Sequence, residues 1–216
     1  MEIKVLKNIL GANDQIAEAN RDLFNKNKIF TINVMSTPGA GKTSLILETI
    51  RRLKGQVKIG VIEGDVSSSV DAEAVSKEGV PVIQINTGGG CHLDANMVAN
   101  ALRSMSLTDM EVLFVENVGN LVCPASFALG EHKKVIISSV PEGDDKPVKY
   151  PLMFDIADAI IINKIDLLPY VKFDIEAFSK AVRTLNQKVE IIQVSCTTGE
   201  GIDQWIAWLR KQITNR

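Results

Sequence analysis

Ser36-Thr37-Pro38-Gly39-Ala40-Gly41-Lys42-Thr43 sits between an apolar run, Phe30-Thr31-Ile32-Asn33-Val34-Met35, and an amphipathic stretch at residues 44–53 that stops near Gly55. A buried strand, a turn of small residues and a helix, in that order, make the phosphate-loop pattern G-x-x-x-x-G-K-[ST], with Ser36 in place of the first glycine. The chemistry requires these residue types. Pro38, Gly39, Ala40 and Gly41 lack the bulk that would keep backbone N–H groups from curling around phosphate oxygens at a helix N-terminus. Lys42 is placed to reach the β- and γ-phosphates, Thr43 to hold Mg²⁺ through its hydroxyl, and Ser44 to open the helix. An ordinary glycine turn before a helix shows the same glycines, so the rest of the chain must test the motif.

Outward from this loop, short β-branched runs recur at residues 57–62, 80–85, 112–115, 133–139, 159–162 and 190–194. Helical stretches at 93–103, 174–185 and 201–212 lie between many of them. Strands that are continuously apolar and alternate with helices predict an α/β fold: a P-loop NTPase, its mainly parallel sheet covered by helices on both faces. Residues 9–28 read as an amphipathic N-terminal helix with Ile16, Leu23 and Phe24 on one side. The longest irregular stretch, 140–151, contains Pro141, Gly143, Pro147 and Pro151 and is too short to divide two domains. The expectation is one domain over 1–216, with 1–28 as a helical extension.

Asn163-Lys164-Ile165-Asp166 follows the run at 159–162 and matches the N-K-x-D base-recognition pattern. The Asp166 carboxylate can accept from both N1–H and N2–H₂ of guanine. Adenine lacks that paired donor edge and would leave the carboxylate unsatisfied. Asn163 and Lys164 are expected to hold the loop and cover the ring. Ser195-Cys196-Thr197 follows the last strand-like run, where a backbone contact to guanine O6 belongs. Together these elements predict GTP and GDP as ligands.

Two acids at strand ends, Asp65 and Glu116, are candidates for the Mg²⁺ shell, acting through water because that ion dehydrates reluctantly. With Lys42 they form the candidate catalytic set. Glu116-Asn117-Val118-Gly119 has the D-x-x-G switch shape with Glu for Asp. Asn120 follows, not a water-positioning Gln, and no arginine finger is evident, so slow intrinsic hydrolysis of GTP is expected.

Thr87-Gly88-Gly89-Gly90-Cys91-His92 places a thiol beside an imidazole in a glycine-rich loop, and Cys123 lies seven residues beyond Glu116. Such donors suit Ni²⁺ or Zn²⁺, although a buried thiol or a packed histidine would look the same in sequence. Three ligands leave a site incomplete, so water or a second copy must complete it. A two-fold dimer is an economical answer. Cys196 reads as structural and His132 as a surface or core histidine.

The bulk properties agree with an ordinary soluble domain. Of 216 residues, 45% are hydrophobic and 23% charged, with a net charge of -2 and no basic tract, which implies no nucleic-acid partner. Residues 1–20 carry charges throughout and lack a signal-peptide core, and no apolar run approaches the ~20 residues of a membrane span. Three cysteines, an odd number, fit a reducing, cytoplasmic setting better than a disulfide framework.

With these residues assembled, the chain resembles the HypB family, the nickel-incorporation GTPases of [NiFe]-hydrogenase maturation. The likeness rests on the phosphate loop with its Ser36, on Gly90-Cys91-His92-Leu93-Asp94-Ala95, and on Glu116-Asn117-Val118-Gly119-Asn120-Leu121-Val122-Cys123-Pro124. Glu142-Gly143-Asp144-Asp145-Lys146-Pro147 and Lys149-Tyr150-Pro151 extend it. The resemblance implies a GTP-dependent homodimer that delivers Ni²⁺ to the hydrogenase large-subunit precursor alongside accessory maturation proteins, with metal ligands Cys91, His92 and Cys123 at the subunit contact. A related urease chaperone carries Cys-Pro-His, whereas here Cys-His stands with Cys123 apart. No N-terminal cysteine cluster or His-rich tract is seen, so delivery rather than storage is expected. Two other readings stay open: a GTPase chaperone for another metalloenzyme such as urease, and a nucleotide-dependent interaction module with a structural zinc.

Overall fold

The computed structural model describes residues 9–215. Residues 1–8 of the expected N-terminal extension lie outside them. Among the described residues the elements run α1 (Ile9–Lys26), β1 (Phe30–Ser36), α2 (Lys42–Leu53), β2 (Ile59–Asp65), α3 (Val70–Ser76), β3 (Val82–Asn86), α4 (Ala95–Arg103) and β4 (Val112–Glu116). They continue with β5 (Lys133–Ser139), α5 (Lys146–Lys149), α6 (Pro151–Asp155), β6 (Ala159–Asn163), α7 (Ile175–Leu185), β7 (Glu190–Gln193) and α8 (Ile202–Thr214). The strands form a seven-stranded sheet in the order β3-β2-β4-β1-β5-β6-β7, and every pairing is parallel.

Both faces of this sheet are buried, as its continuous apolar strands require. Along β4, Val112 and Phe114 join a core with Leu45 and Ile46 of α2 and Trp205 of α8. Leu113 and Val115 point the other way, to Phe24 of α1 and Val98 of α4. A third cluster packs Ile136, Ile160 and Ile162 against Phe154 and Phe178. Parallel strands all release their chain at the same end, so the loops after β1, β2, β3, β4, β6 and β7 gather along one edge.

Several boundaries differ from the sequence reading for identifiable reasons. The α4 helix starts at Ala95 rather than residue 93, because Asp94 caps it by accepting from the Met97 amide at 2.7 Å. The β2 strand runs to Asp65, past its apolar residues, because Glu63 pairs with both β3 and β4, and Gly64 and Asp65 keep pairing with β3. Residues 140–151 are not irregular. Ser139 and Glu142 form a capping box, and Pro141, Pro147 and Pro151 each stand in a first helical turn, where the missing N–H costs nothing. Short α3 was not anticipated, although its Ala72 and Val75 are buried.

The expected stripe on α1 is corrected too. Leu23 is 36% exposed, while Phe24 is buried as expected, on a face it shares with Asn13, Ala17 and Asn20. The asparagines are inside because each bridges two loops. Asn13 donates to Ala128 O and accepts from the Ala95 amide, both at 2.9 Å, while Asn20 donates to Ala95 O at 2.9 Å and Leu129 O at 3.0 Å. Asn20→Ala removes both bonds and takes the side-chain donor from the buried Leu129 carbonyl. It should cost about 1–3 kcal/mol, read as a lowered midpoint in urea unfolding.

Candidate nucleotide and metal site

The phosphate loop leaves β1 at Ser36, whose side chain donates to Thr37 O and accepts from Lys42 Nζ at 3.3 Å. Serine at this position therefore steadies the lysine. The Thr37 hydroxyl bonds to Glu142, which ties the loop to the capping box after β5. Gly41 has φ +103°, and a Cβ there would meet Asn163 Nδ2 at 2.3 Å, so only glycine fits. Gly119 is needed for a different reason: its added Cβ would lie 2.9 Å from Pro38 N. The segment after β4 thus packs directly on the loop. Ser44 is exposed at the start of α2.

Lys42, Glu63, Asp65, Glu116 and Gly119 line a cleft of about 200 Å³ beside Gly39. Thr43 Oγ1 donates to Glu116 Oε1 at 3.0 Å, and Lys42 Nζ stands 3.8 Å from the same oxygen. Asp65 accepts from the Ser67 and Ser68 amides at 2.9 and 2.6 Å, which hold its carboxyl below the usual range.

Sequence reasoning missed Glu63. It lies opposite Glu116 in the β2–β4 register and is 2% exposed. An acid between an apolar run and Gly64-Asp65 was its only local signal. Burial, then the Glu116 carboxylate beside it, pushes Glu63 up to about 10. Glu63 Oε1 and Glu116 Oε2 are both buried without a hydrogen-bond partner. The unfolded chain releases this proton near the ordinary carboxyl value, while the folded chain keeps it to about 10. Between those values the folded state binds more protons, so the stability of nucleotide-free protein should fall as pH rises. Glu63→Gln should flatten that slope and stabilise the protein by about 1–3 kcal/mol at pH 8, measured by urea unfolding across pH.

The base loop is joined to the phosphate loop before any ligand is considered. Asn163 Nδ2 donates to Ala40 O at 2.9 Å, and Asn163 Oδ1 accepts from the Lys164 and Cys196 amides at 2.8 and 3.3 Å. Lys164, in the left-handed region at φ 63°, donates to Gly39 O at 2.7 Å. Asp166 Oδ1 is buried with no partner. Such an orphaned carboxylate oxygen calls for an N–H donor that the protein itself does not supply. Ser195 is fully buried, Thr197 is exposed, and burial pushes the Cys196 thiol up to about 12, in keeping with a structural reading.

Cys91, His92 and Cys123 are brought together: one donor atom from each lies within 4.8 Å of the others. The two loops come from β3 and β4, and α1 holds both through Asn13 and Asn20. Phe127, which the sequence did not point to, stacks on the His92 ring at 3.9 Å between centroids. The contact with Cys91 raises the Cys123 thiol above its ordinary value. His132 is structural, accepting from the Thr31 amide at 3.0 Å and meeting Asn25 Oδ1 at 3.0 Å.

A parallel sheet with a phosphate loop after its central strand and an N-K-x-D loop after β6 defines a P-loop nucleotide-binding domain. The chain belongs to the CobW/HypB/UreG nucleotide-binding domain family, whose model matches residues 30–193. The hydrogenase maturation factor HypB of Escherichia coli K12 is 50% identical over 212 residues, covering 98% of this chain and 72% of that protein. HypB from Archaeoglobus fulgidus superposes with a TM-score of 0.89 at 41% identity, covering 94% of this chain and all of that one. HypB from Helicobacter pylori, solved in complex with nickel, superposes with a TM-score of 0.90 at 36% identity over 94% of this chain and 96% of that one. No described helix is long and apolar enough to cross a membrane.

Proposed function

We propose that this chain is a GTP-hydrolysing metallochaperone that delivers nickel to the [NiFe]-hydrogenase large-subunit precursor, working in the cytoplasm as a GTP-dependent homodimer with accessory maturation proteins. The observation that carries the reading is the convergence of Cys91, His92 and Cys123 at the end of the segment that begins at Glu116, beside the phosphate loop. The kinship with nickel-complexed HypB supports it.

In this mechanism Asp166 selects guanine, and the backbone amides of residues 39–43 and the Lys42 side chain hold the triphosphate. Thr43, with Glu116 and Asp65 through water, would hold magnesium, which when bound offsets charge on the phosphate oxygens. The paired hydroxyl and carboxylate of Thr43 and Glu116, with Glu116 Oε2 unpartnered, suit that ion. Lys42 Nζ stands 3.8 Å from Glu116 Oε1 and can stabilise charge developing on the γ-phosphoryl group. Gly119 touches Pro38, so presence or loss of the γ-phosphate is felt by the segment that ends in Cys123. The three donors leave a coordination position for water or a second copy's ligand.

The test titrates Ni²⁺ into protein loaded with GDP or a non-hydrolysable GTP analogue, with the mass of the assembly measured in each state. Stoichiometric nickel with an affinity or oligomeric state that depends on the nucleotide is expected. Absence of nickel binding, or identical behaviour in the two states, would refute the proposal.

A further inference from the structure

Asn117 follows Glu116 directly, is fully buried, and does not line the phosphate cleft. Its backbone amide is fixed to the sheet, donating to Val34 O at 2.9 Å. Its side-chain oxygen accepts two amides from two different loops: Leu93, next to His92, at 3.0 Å, and Val118, next to Gly119, also at 3.0 Å. Its amide nitrogen donates to Asn33 Oδ1 at 3.2 Å, and Asn33 donates to Glu131 Oε1 at 3.4 Å. Glu131 Oε2 in turn accepts from the Leu129 amide at 2.7 Å, two residues beyond the Phe127 ring that stacks on His92.

We propose that Asn117 is the positioning residue that passes the state of the Val118–Gly119 segment to the Cys91–His92 ligand pair. The inference rests on the reading that those donors take nickel and that this segment senses the γ-phosphate. One oxygen serves both loops. On its sheet side the side chain is anchored through the buried Asn33 and Glu131, the latter 3.6 Å from Lys134 Nζ. A shift of Val118 therefore changes the oxygen's bond to Leu93 rather than being absorbed by the sheet. Water cannot replace a lost partner, because Asn117 and Asn33 are both 0% exposed. Leu93 is itself wholly buried, so its displacement carries His92 with it instead of dissipating at the surface. A buried polar line whose one oxygen serves both loops is the kind of contiguous element through which two sites can be coupled.

The experiment measures Ni²⁺ affinity of the full chain with GDP and with a non-hydrolysable GTP analogue, for wild type and Asn117→Ala. Wild type should show a ratio of at least about fivefold between the two states, and nickel should shift the analogue-to-GDP affinity ratio by the same factor. Asn117→Ala should still take nickel, with both the nickel-affinity ratio and the nickel-induced shift reduced to within about twofold of one. A folded Asn117→Ala that keeps the wild-type ratio overturns this inference and leaves the nickel reading standing. A wild type that takes no nickel, or takes it equally in both states, overturns both. Should the variant not fold, hydrogen exchange at the Leu93 amide of wild type decides the matter. Protection differing about tenfold between the nucleotide states is expected, and equal protection sinks the proposal.

Discussion

Asp166→Asn is expected to lower GTP affinity by about 10²–10⁴-fold, as two hydrogen bonds to a charged acceptor, each of about 1.5–3 kcal/mol, are lost or reversed. The loss should appear in the base-specific part of binding alone. An asparagine keeps an oxygen for N1–H but turns its amide group toward the guanine amine, donor against donor. Xanthine carries an oxygen at that carbon, so the variant should bind xanthosine triphosphate at least about tenfold better than wild type does. Competition titrations of guanosine and xanthosine nucleotides check this. Equal losses for both nucleotides would show that Asp166 supports the loop instead of reading the base. Its unpartnered Oδ1 is the structural basis of the expectation.

Cys123→Ser should weaken nickel binding by at least about 10²-fold, because a soft donor leaves a set of only three protein ligands. Stability should change by less than about 1 kcal/mol, since Cys123 is half-buried and belongs to none of the packed clusters. Nickel titration and urea unfolding of the same preparation separate the possibilities. A variant that unfolds, with metal binding otherwise intact, would mark the thiol as structural. In wild type, nickel affinity should rise with pH through the neutral range, because the metal must displace a proton from a Cys123 thiol that Cys91 holds above its ordinary value.

The two recognition loops were legible before folding because each is a short window whose residue types are dictated by chemistry. The phosphate loop needs a glycine where Gly41 meets Asn163, and the expected base loop carries an unpartnered carboxylate oxygen at Asp166. The sheet was legible for a related reason: strands buried on both faces are apolar throughout, and the parallel order follows once helices separate them. Helix ends were less so. A cap such as Asp94 moves a boundary without altering the hydrophobic period, and the prolines of 140–151 look like breakers until they are seen in first turns.

Polar residues at buried positions were the part that could not be read. Asn13 and Asn20 break the apolar stripe of α1, so the period pointed to Ile16 and Leu23 instead. Glu63 looked like the end of a strand, yet its neighbour on the adjoining strand is Glu116. Phe127 carries no local mark of the ring it stacks on.

By itself, then, the phosphate loop at Ser36–Thr43 and the sequence around it determined the class of fold, the base to be expected and the chemical types of the candidate metal donors. Those properties reside in side-chain identity and in periods a few residues long. Only the tertiary structure decided that Cys123 would meet Cys91 and His92, that Glu63 would share a cleft with Glu116, and that Asn117 would stand between the two loops. A buried polar group is tolerable only where its partner is, and the partner comes from a distant part of the chain that the sheet alone brings near.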